Sequence, residues 1–278
     1  LTRSSAASDV YKRQAFPHAT ALACIREELG APAEELFEEF PDTPIAAASL
    51  GQVYKARLQG QHWVAVKVQR PNLTFILRRD LVLIRALGVM TAPLLPLNLG
   101  FGLGGIIDEF GRSLFEEIDY GLEAANAERF SALFADNDAV YIPKVERMLS
   151  STRVLTTTWI DGAKMRDSEE LRSQRLDPTA LIRTGVICGL QQLLEFGYFH
   201  ADPHPGNLFA LPGRTGDLGH VGYVDFGMMD SISDSDRLTL TGAVVHLINR
   251  DFSGLAKDFQ SLGSVSYTHL RAHETDRY

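Results

Sequence analysis

Three short motifs, in a fixed order along the chain, limit what this sequence can fold into. The first is V-A-V-K at residues 64–67, the second is H-A-D-P-H-P-G-N at residues 200–207, and the third is D-F-G at residues 225–227. A D-F-G tripeptide alone arises often by chance. All three in this order indicate one active site, assembled from segments that lie far apart in the sequence.

The residue types in these motifs suit phosphate and metal chemistry. A strand lysine such as Lys67 can anchor phosphates, and Asp202, five residues before Asn207, can act as catalytic acid/base while the asparagine holds a metal ion beside Asp225. We therefore predict an α+β, protein-kinase-like fold with two lobes that binds ATP and Mg²⁺. The N-lobe is small and mixes strands with helices, and the C-lobe is mostly helical.

Size and charge agree with such an enzyme. The chain has 278 residues, enough for two lobes. Its net charge of −8, from 27 basic and 35 acidic residues, argues against nucleic acid as a partner, because phosphate neutralisation needs clustered Lys and Arg. Two cysteines, Cys24 and Cys188, give no disulfide framework, which predicts a reducing compartment such as the cytoplasm.

The two ends differ in texture from the body of the chain. Residues 1–14 and 264–278 resemble translated sequencing-adapter remnants, so we exclude both from fold prediction. The body then divides near Asp161. We predict an N-lobe over residues 15–161 and a C-lobe over residues 162–263.

One uncharged run, residues 86–107, is long enough to span a bilayer. Pro93, Pro96 and several glycines interrupt it, and helix breakers of this kind disfavour a membrane span. We predict a buried or lipid-touching connector.

Hydrophobic patterning predicts the elements around the first motif. Residues 18–29 are helix-like, Pro32 opens a second helix to about Phe40, and residues 105–133 have continuous helical texture. Residues 53–58 and 62–69 predict a β-hairpin.

Alternation along the second hairpin strand puts Ala65 and Lys67 on one face. The lysine could reach phosphate there while the alanine lies against a flat base. We also assign Trp159, at the end of a predicted strand over residues 154–159, to the nucleotide site.

The segment before the hairpin occupies the place of a nucleotide loop. Taken alone it predicts a plain strand turn, but the hairpin and Lys67 that follow favour nucleotide binding. Three alanines fill much of the turn where glycines would permit close approach to phosphates, so we expect a stiffer loop. Its residues are Ile45, Ala46, Ala47, Ala48, Ser49, Leu50, Gly51, Gln52 and Val53.

Lys67 needs an acidic partner, and the helix predicted over residues 105–133 offers several. Asp119 and Glu123 are four apart and share a face, whereas Glu117 is turned away from Asp119. Either face could supply the partner. The alternative is a solvated acidic helix face with no partner for the lysine.

A rival interpretation of the second motif is a metal-hydrolase cluster of His200, Asp202 and His204. It leaves Lys67 and Asp225 without a role, so we prefer the kinase-like site. His200 then braces the loop, and His204 lies beside the phosphates.

Several runs together resemble the UbiB/AarF family of atypical kinases. They are the three alanines followed by S-L-G-Q-V, V-K-V-Q-R-P at residues 66–71, E-I-D-Y at residues 117–120 with Glu123-Ala124, and the H-A-D-P-H-P-G-N loop. The resemblance covers about residues 16–263.

The resemblance implies a membrane-associated ATPase or small-molecule kinase in ubiquinone or related isoprenoid-lipid biosynthesis. It implies ATP binding by residues 45–53 and Lys67, with Glu123 as the partner of the lysine, and Glu117 and Asp119 as the family's E-x-D pair. Implied partners are a lipid or quinone precursor, a membrane surface reached as a peripheral protein of the inner membrane, and quinone-synthesis proteins.

One departure stands out. The family's K-x-G-Q motif, on an N-terminal extension that covers the active site, is absent from this sequence, and so is the usual C-terminal continuation. We expect a fragment of a longer protein. The alternative function is a nucleotide-binding pseudokinase scaffold without phosphotransfer.

Overall fold

The computed structural model describes residues 15–60, 62–91, 103–165, 168–174, 176–212 and 220–262. The adapter-like ends and most of the uncharged run after Thr91 lie outside these described residues. The fold is a mixture of helices and strands, which confirms the predicted α+β class.

A four-stranded antiparallel sheet forms the N-terminal part. Its strands follow the spatial order β1-β2-β3-β5, where β1 is Ala46–Ala47, β2 is Gly51–Arg57, β3 is Trp63–Gln69 and β5 is Val154–Thr158. The predicted hairpin is confirmed as β2 and β3, in a register that sets Val53 opposite Lys67.

Alternation along β3 separates the core from the site. Val64, Val66 and Val68 are fully buried, and they pack against helix α1 (His18–Leu29) through Ala21 and Ile25. The opposite face carries Ala65 and Lys67, which are half-buried. One strand therefore supplies core packing on one side and site residues on the other.

Two helix predictions needed correction. Helix α1 ends at Gly30 in a left-handed cap as expected, but α2 is only Ala33–Leu36. The predicted continuation to Phe40 is wrong, because Phe37 turns to an extended conformation and Glu39 makes a β-bridge with Arg57. Backbone pairing with the edge of the sheet ends this helix early.

The long helix predicted over residues 105–133 is two helices. After α3 (Leu73–Thr91), α4 is Leu103–Glu117 and α5 is Tyr120–Leu133. Asp119 breaks the run: its extended backbone makes it the N-cap of α5, and its carboxylate accepts hydrogen bonds from the N–H groups of Gly121, at 2.9 Å, and Leu122. An aspartate at this position satisfies free N–H groups of the first turn.

The C-terminal part holds a second four-stranded sheet and a two-stranded sheet between helices. One sheet has the order β4-β9-β8-β6 and the other pairs β7 with β10. The strands are β4 (Val140–Tyr141), β6 (Ala163–Lys164), β7 (Tyr198–His200), β8 (Leu208–Leu211), β9 (His220–Tyr223) and β10 (Met229–Ser231). The helices are α6 (Ser168–Ser173), α7 (Pro178–Leu190) continued by a π-helical turn (Gln191–Phe196), α8 (Asp234–Ile248) and α9 (Phe252–Ser261).

Two hydrophobic cores result from this arrangement. One joins α1 to the buried face of β2 and β3. The other joins α5, through Tyr120 and Phe130, to β8, β9 and Phe226. Lys67 comes from the strand of the first core and Glu123 from the helix of the second, so the site lies where the two cores meet. Within the described residues, no helix combines the length and apolar character that crossing a bilayer requires.

Candidate nucleotide site

The Lys67 ammonium lies between two carboxylates. Its Nζ is 3.0 and 2.8 Å from the two oxygens of Glu123 and 3.4 Å from Oδ1 of Asp225. The Glu123 side chain is almost fully buried, whereas the Asp225 side chain is 49% exposed. The lysine thus has one buried partner that holds it and one solvent-exposed partner.

The charges in this group stabilise one another. Burial alone would lower the pKa of Lys67, but the carboxylates of Glu123 and Asp225 raise it above its usual value. The same ammonium lowers the pKa of Asp225 against the opposing effect of burial. Burial raises the pKa of Glu123, and the charge of Lys67 opposes that rise. Because both Glu123 oxygens lie within hydrogen-bonding distance of Nζ, we treat the pair as ionised.

Local structure brings Asn207 and Asp225 together. They flank the hairpin of β8 and β9, in which Leu208 is opposite Tyr223, and the N–H of Val224 donates to the carbonyl of Asn207 at 3.0 Å. Asp225 has a φ of 64°, a left-handed conformation that is uncommon outside glycine and is often found at functional sites. This backbone turn lets the carboxylate meet Lys67.

The loop between β7 and β8 is organised by its own backbone contacts. The N–H of Asp202 donates to Nδ1 of His200 at 3.1 Å, and the side-chain amide of Asn207 donates to the carbonyl of Asp202 at 3.3 Å. His204 Nε2 lies 3.5 Å from the carboxylate of Asp202. The carboxylate of Asp202 is 43% exposed, so it is accessible to solvent.

His200 is built into the core beneath this loop. Its ring lies against Tyr223 and Phe226, and burial lowers its pKa. The backbone N–H of His200 donates to the side-chain oxygen of Gln192 at 2.9 Å. The rival metal cluster would need this ring to face Asp202 and His204 together. Across the described ranges, no group of three or more His, Cys, Asp or Glu side chains could hold a metal ion.

The alanine loop forms its turn without a positive φ angle at any of its residues. Ala46 and Ala47 pair with Val53 and Gln52, and the N–H of Ala48 donates to the carbonyl of Gly51 at 2.8 Å. The glycines with positive φ in the described chain do not include Gly51.

Gly51 is needed for space instead. A Cβ added there would lie 2.5 Å from the Val68 carbonyl oxygen and 2.6 Å from the Tyr120 hydroxyl. Only glycine fits between these two atoms without a shift. The one glycine left in this loop therefore serves close packing rather than backbone freedom.

Ala65 lies on the face of β3 that carries Lys67, and Trp159 directly follows β5. Ala65 is opposite Lys55 and Thr157 in its neighbouring strands, and the ring of Trp159 is 4.6 Å from Nζ of Lys55. Trp159 also borders a cavity of about 610 Å³, but the residues that line it include neither Lys67 nor Asp225. That cavity is therefore separate from the contact between Lys67 and Asp225.

The remaining acidic residues of the E-x-D run have different surroundings. Glu117 ends α4 and lies near Gly227; burial, and then the charge of Asp225, raise its pKa. Asp119 caps α5. The structure thus puts Glu123, and not Glu117, against Lys67.

Sequence reasoning missed Asn126, which holds the D-F-G backbone. Its side-chain amide donates to the carbonyl of Phe226 at 3.0 Å, and its Oδ1 accepts from the hydroxyl of Tyr198 at 3.0 Å. One signal was present: Asn126 follows Glu123 by three residues and is a polar residue in the stripe that includes Ala127. A polar residue on the buried face of a helix usually has a specific partner.

Comparison with known proteins agrees with this geometry. Residues 11–259 match the ABC1 atypical kinase-like domain. The chain belongs to the ABC1 family. This confirms the resemblance to the atypical kinases of UbiB/AarF type and the predicted kinase-like fold.

Two curated ABC1 relatives show how much of the chain is shared. It is 48% identical over 252 residues to the uncharacterized protein slr1919 of Synechocystis, covering 90% of this chain and 44% of the relative. It is 44% identical over 252 residues to a protein of Arabidopsis thaliana named ACTIVITY OF BC1 COMPLEX KINASE 1, chloroplastic, covering 90% of this chain and 36% of the relative. The chain therefore spans less than half the length of either one.

Among solved structures, the fold resembles Rv3197 of Mycobacterium tuberculosis, determined as a complex with erythromycin. The TM-score is 0.69 at 29% identity, and the match covers 92% of this chain and 64% of that one. The likeness in fold therefore extends over nearly all of this chain.

Proposed function

We propose that this chain is an ATP-binding atypical kinase or ATPase. Lys67, held by Glu123, binds the phosphates, and Asp202 is the catalytic acid/base. Asn207 and Asp225 hold Mg²⁺. The nucleotide lies under residues 45–53, with Ala65 against the base and Trp159 at the edge of the site.

One observation carries the proposal. The Lys67 ammonium bridges a buried carboxylate, Glu123, and an exposed one, Asp225. A lysine that served only as a surface charge would need no buried partner. The second carboxylate, Asp225, is left exposed to solvent, where it can meet a metal ion. Kinase-like phosphotransfer needs this arrangement, because the lysine positions phosphate beside the metal-binding aspartate.

The donor set suits magnesium. Asp225 offers an ionised carboxylate, and Asn207 uses its amide N–H₂ on the carbonyl of Asp202, which leaves its side-chain oxygen to face a cation. Hard oxygen donors of this kind, completed by phosphate oxygens and water, are those that Mg²⁺ takes. When bound, the ion supplies neutralisation of the phosphate charge.

The chain's own residues do the rest. Lys67 stays protonated, since its pKa is raised, and it keeps a positive charge for phosphate at all physiological pH values. Asp202, accessible at the mouth of the loop, accepts the proton of the attacking hydroxyl or water. His200 holds the backbone of Asp202 through its Nδ1, which orients that carboxylate.

We further propose a small lipid-like or phenolic acceptor from quinone or isoprenoid-lipid metabolism, met at a membrane surface. Support comes from α3 and α4, whose exposed apolar side chains include Phe75, Val82, Met90 and Phe110. Exposed apolar patches of this kind mark interaction surfaces, membranes among them.

The test measures binding and turnover on the same protein. Mg²⁺–ATP should raise the melting temperature of the chain, and Asp225→Asn should abolish the rise. Asp202→Asn should keep the rise but lose turnover by about 10²–10³-fold. Hydrolysis should increase with lipid vesicles or a phenolic quinone-precursor mimic.

The pattern of results separates the alternatives. Binding that needs no divalent metal, or survives unchanged in Asp225→Asn, contradicts the site. Metal-dependent binding without turnover under any condition supports the pseudokinase scaffold instead. ATP hydrolysis at the same rate with and without vesicles contradicts the proposal of an acceptor at a membrane surface.

A further inference from the structure

Tyr120 touches both the lysine and the loop of the proposed site. Its ring lies 4.8 Å from Nζ of Lys67, within the range of a cation–π contact. Its hydroxyl lies directly beneath Gly51, because the Cβ that glycine lacks would come within 2.6 Å of that oxygen. The residue has no place in the proposed chemistry as set out above.

The buried hydroxyl of Tyr120 makes no hydrogen bond to the described residues. The side chain is fully buried, and within the described residues no hydrogen-bond partner is found for its oxygen. Burial raises the pKa of this hydroxyl, so the group stays protonated and remains a donor. A buried donor without an acceptor is destabilising, and its presence calls for an explanation.

Two surroundings limit the explanation. The backbone of Tyr120 is fixed, since its N–H donates to the carbonyl of Thr152 at 3.0 Å. The loop backbone lies directly over it, because Gly51 presents no side chain to the hydroxyl and Ser49 is exposed at the turn. An acceptor can therefore reach the hydroxyl by a movement of the loop and not by a movement of the tyrosine.

We propose that Tyr120 is a positioning residue that couples the nucleotide loop to Lys67. Its ring holds the ammonium, and its hydroxyl donates to the loop backbone when the loop closes on bound nucleotide. The unpaired donor is then a feature of the nucleotide-free state, which becomes satisfied on binding. This inference rests on the proposed nucleotide function.

The decisive variant is Tyr120→Phe, which keeps the ring and removes the hydroxyl. In the nucleotide-free protein it removes a buried unpaired group, so the melting temperature should rise. With Mg²⁺–ATP the variant lacks the new hydrogen bond, so the thermal shift should be smaller than in the wild type. The dissociation constant for Mg²⁺–ATP should rise about fivefold. Opposite signs in the two states are not expected of a residue that only packs.

Tyr54→Phe is the matched control. Tyr54 is also fully buried, but its hydroxyl already accepts a hydrogen bond from the side chain of Gln52, on the core side of the sheet. Loss of that hydroxyl should lower the melting temperature of the nucleotide-free protein and leave the dissociation constant for Mg²⁺–ATP as in the wild type.

Each outcome decides the question. A Tyr120→Phe protein that melts lower in both states, or that binds Mg²⁺–ATP as tightly as the wild type, overturns the coupling and leaves Tyr120 a packing residue. A wild-type protein that shows no binding by calorimetry overturns the proposed function first, and the coupling with it. Because wild-type binding is measured separately, the two failures are distinguishable.

Discussion

At the scale of single residues, local contacts explain the residue type or the backbone conformation at three positions of the site. Gly51 is glycine because a methyl group has no room between the Val68 carbonyl and the Tyr120 hydroxyl. Asp225 holds a left-handed backbone that places its carboxylate beside Lys67. His200 is buried and neutral beneath the loop that carries Asp202. In each case the immediate surroundings of the residue explain its identity or its conformation.

The burial of His200 predicts how stability depends on pH. Its pKa is lowered in the folded state, so between that value and about 6.5 the unfolded chain binds the proton and the folded chain does not. Stability should therefore fall as pH drops below about 6.5, by at most about 1.4 kcal/mol per pH unit from this group. Denaturant unfolding of the wild type and of His200→Asn from pH 7.5 to 5.5 measures it. Equal slopes in the two proteins would contradict the assignment.

At the scale of elements, backbone pairing determines the conformation of the alanine loop, and capping by Asp119 determines where α5 begins. The alanine loop is a short hairpin, with Ala46 and Ala47 in β1. Arg70 reinforces it, because its guanidinium donates to the carbonyl of Ala48 at 3.1 and 3.2 Å. These contacts hold the loop around Ala48 in the nucleotide-free protein, and we expect phosphate transfer to bulky substrates to be poor.

Glycine substitutions test this stiffness. We expect little phosphorylation of generic proteins by the wild type. Glycine at Ala46, Ala47 or Ala48 should change the preference between ADP and ATP and allow autophosphorylation, while each lowers stability by roughly 0.5–1 kcal/mol. Competition binding and radiolabel incorporation measure the two effects.

Ala19→Gly is the control, at an exposed position of α1. It should lower stability by about 1 kcal/mol and leave the nucleotide preference as it is. Strong wild-type phosphorylation of generic proteins that glycine does not alter at any of the three loop positions would refute the role given to the alanines.

On the scale of the whole molecule, the Lys67–Glu123 ion pair joins the two hydrophobic cores. Lys67 comes from β3 and Glu123 from α5, separated by 56 residues in the sequence. Removing one member of a buried pair leaves the other charge uncompensated. Here Asp225 still lies 3.4 Å from the lysine, which reduces the loss.

Two isosteric variants should differ in their effect on the free energy of unfolding. Glu123→Gln should lower the free energy of unfolding by roughly 2–4 kcal/mol. Glu117→Gln should leave it unchanged or raise it, because burial and the charge of Asp225 already disfavour the ionised form of Glu117. Urea unfolding of both variants at pH 7 gives the comparison. A larger loss in Glu117→Gln than in Glu123→Gln would show that the acidic partner of Lys67 is misassigned.

Sequence alone was enough for the family, the fold class and the positions of the motifs. Strand periodicity put Ala65 and Lys67 on one face, and the three motifs gave Asp202, Asn207 and Asp225 as candidates. The family, the fold class and the shared strand face are confirmed because they depend on residue type and on spacings of a few residues, whereas the roles of Asp202, Asn207 and Asp225 stay predictions. Backbone periodicity relates such neighbours directly.

Helix spacing left both acidic faces open and the family resemblance implied Glu123, which the tertiary structure then placed against Lys67. Tertiary structure alone showed why Gly51 is glycine and that Asn126 holds the D-F-G backbone. It also ended α2 at Leu36 and divided the helix predicted over residues 105–133 at Asp119. Each of these depends on atoms from segments that are distant in sequence, or on whether a cap or a strand edge competes better for the backbone. Local propensity is similar for both outcomes, so only packing of the complete chain separates them.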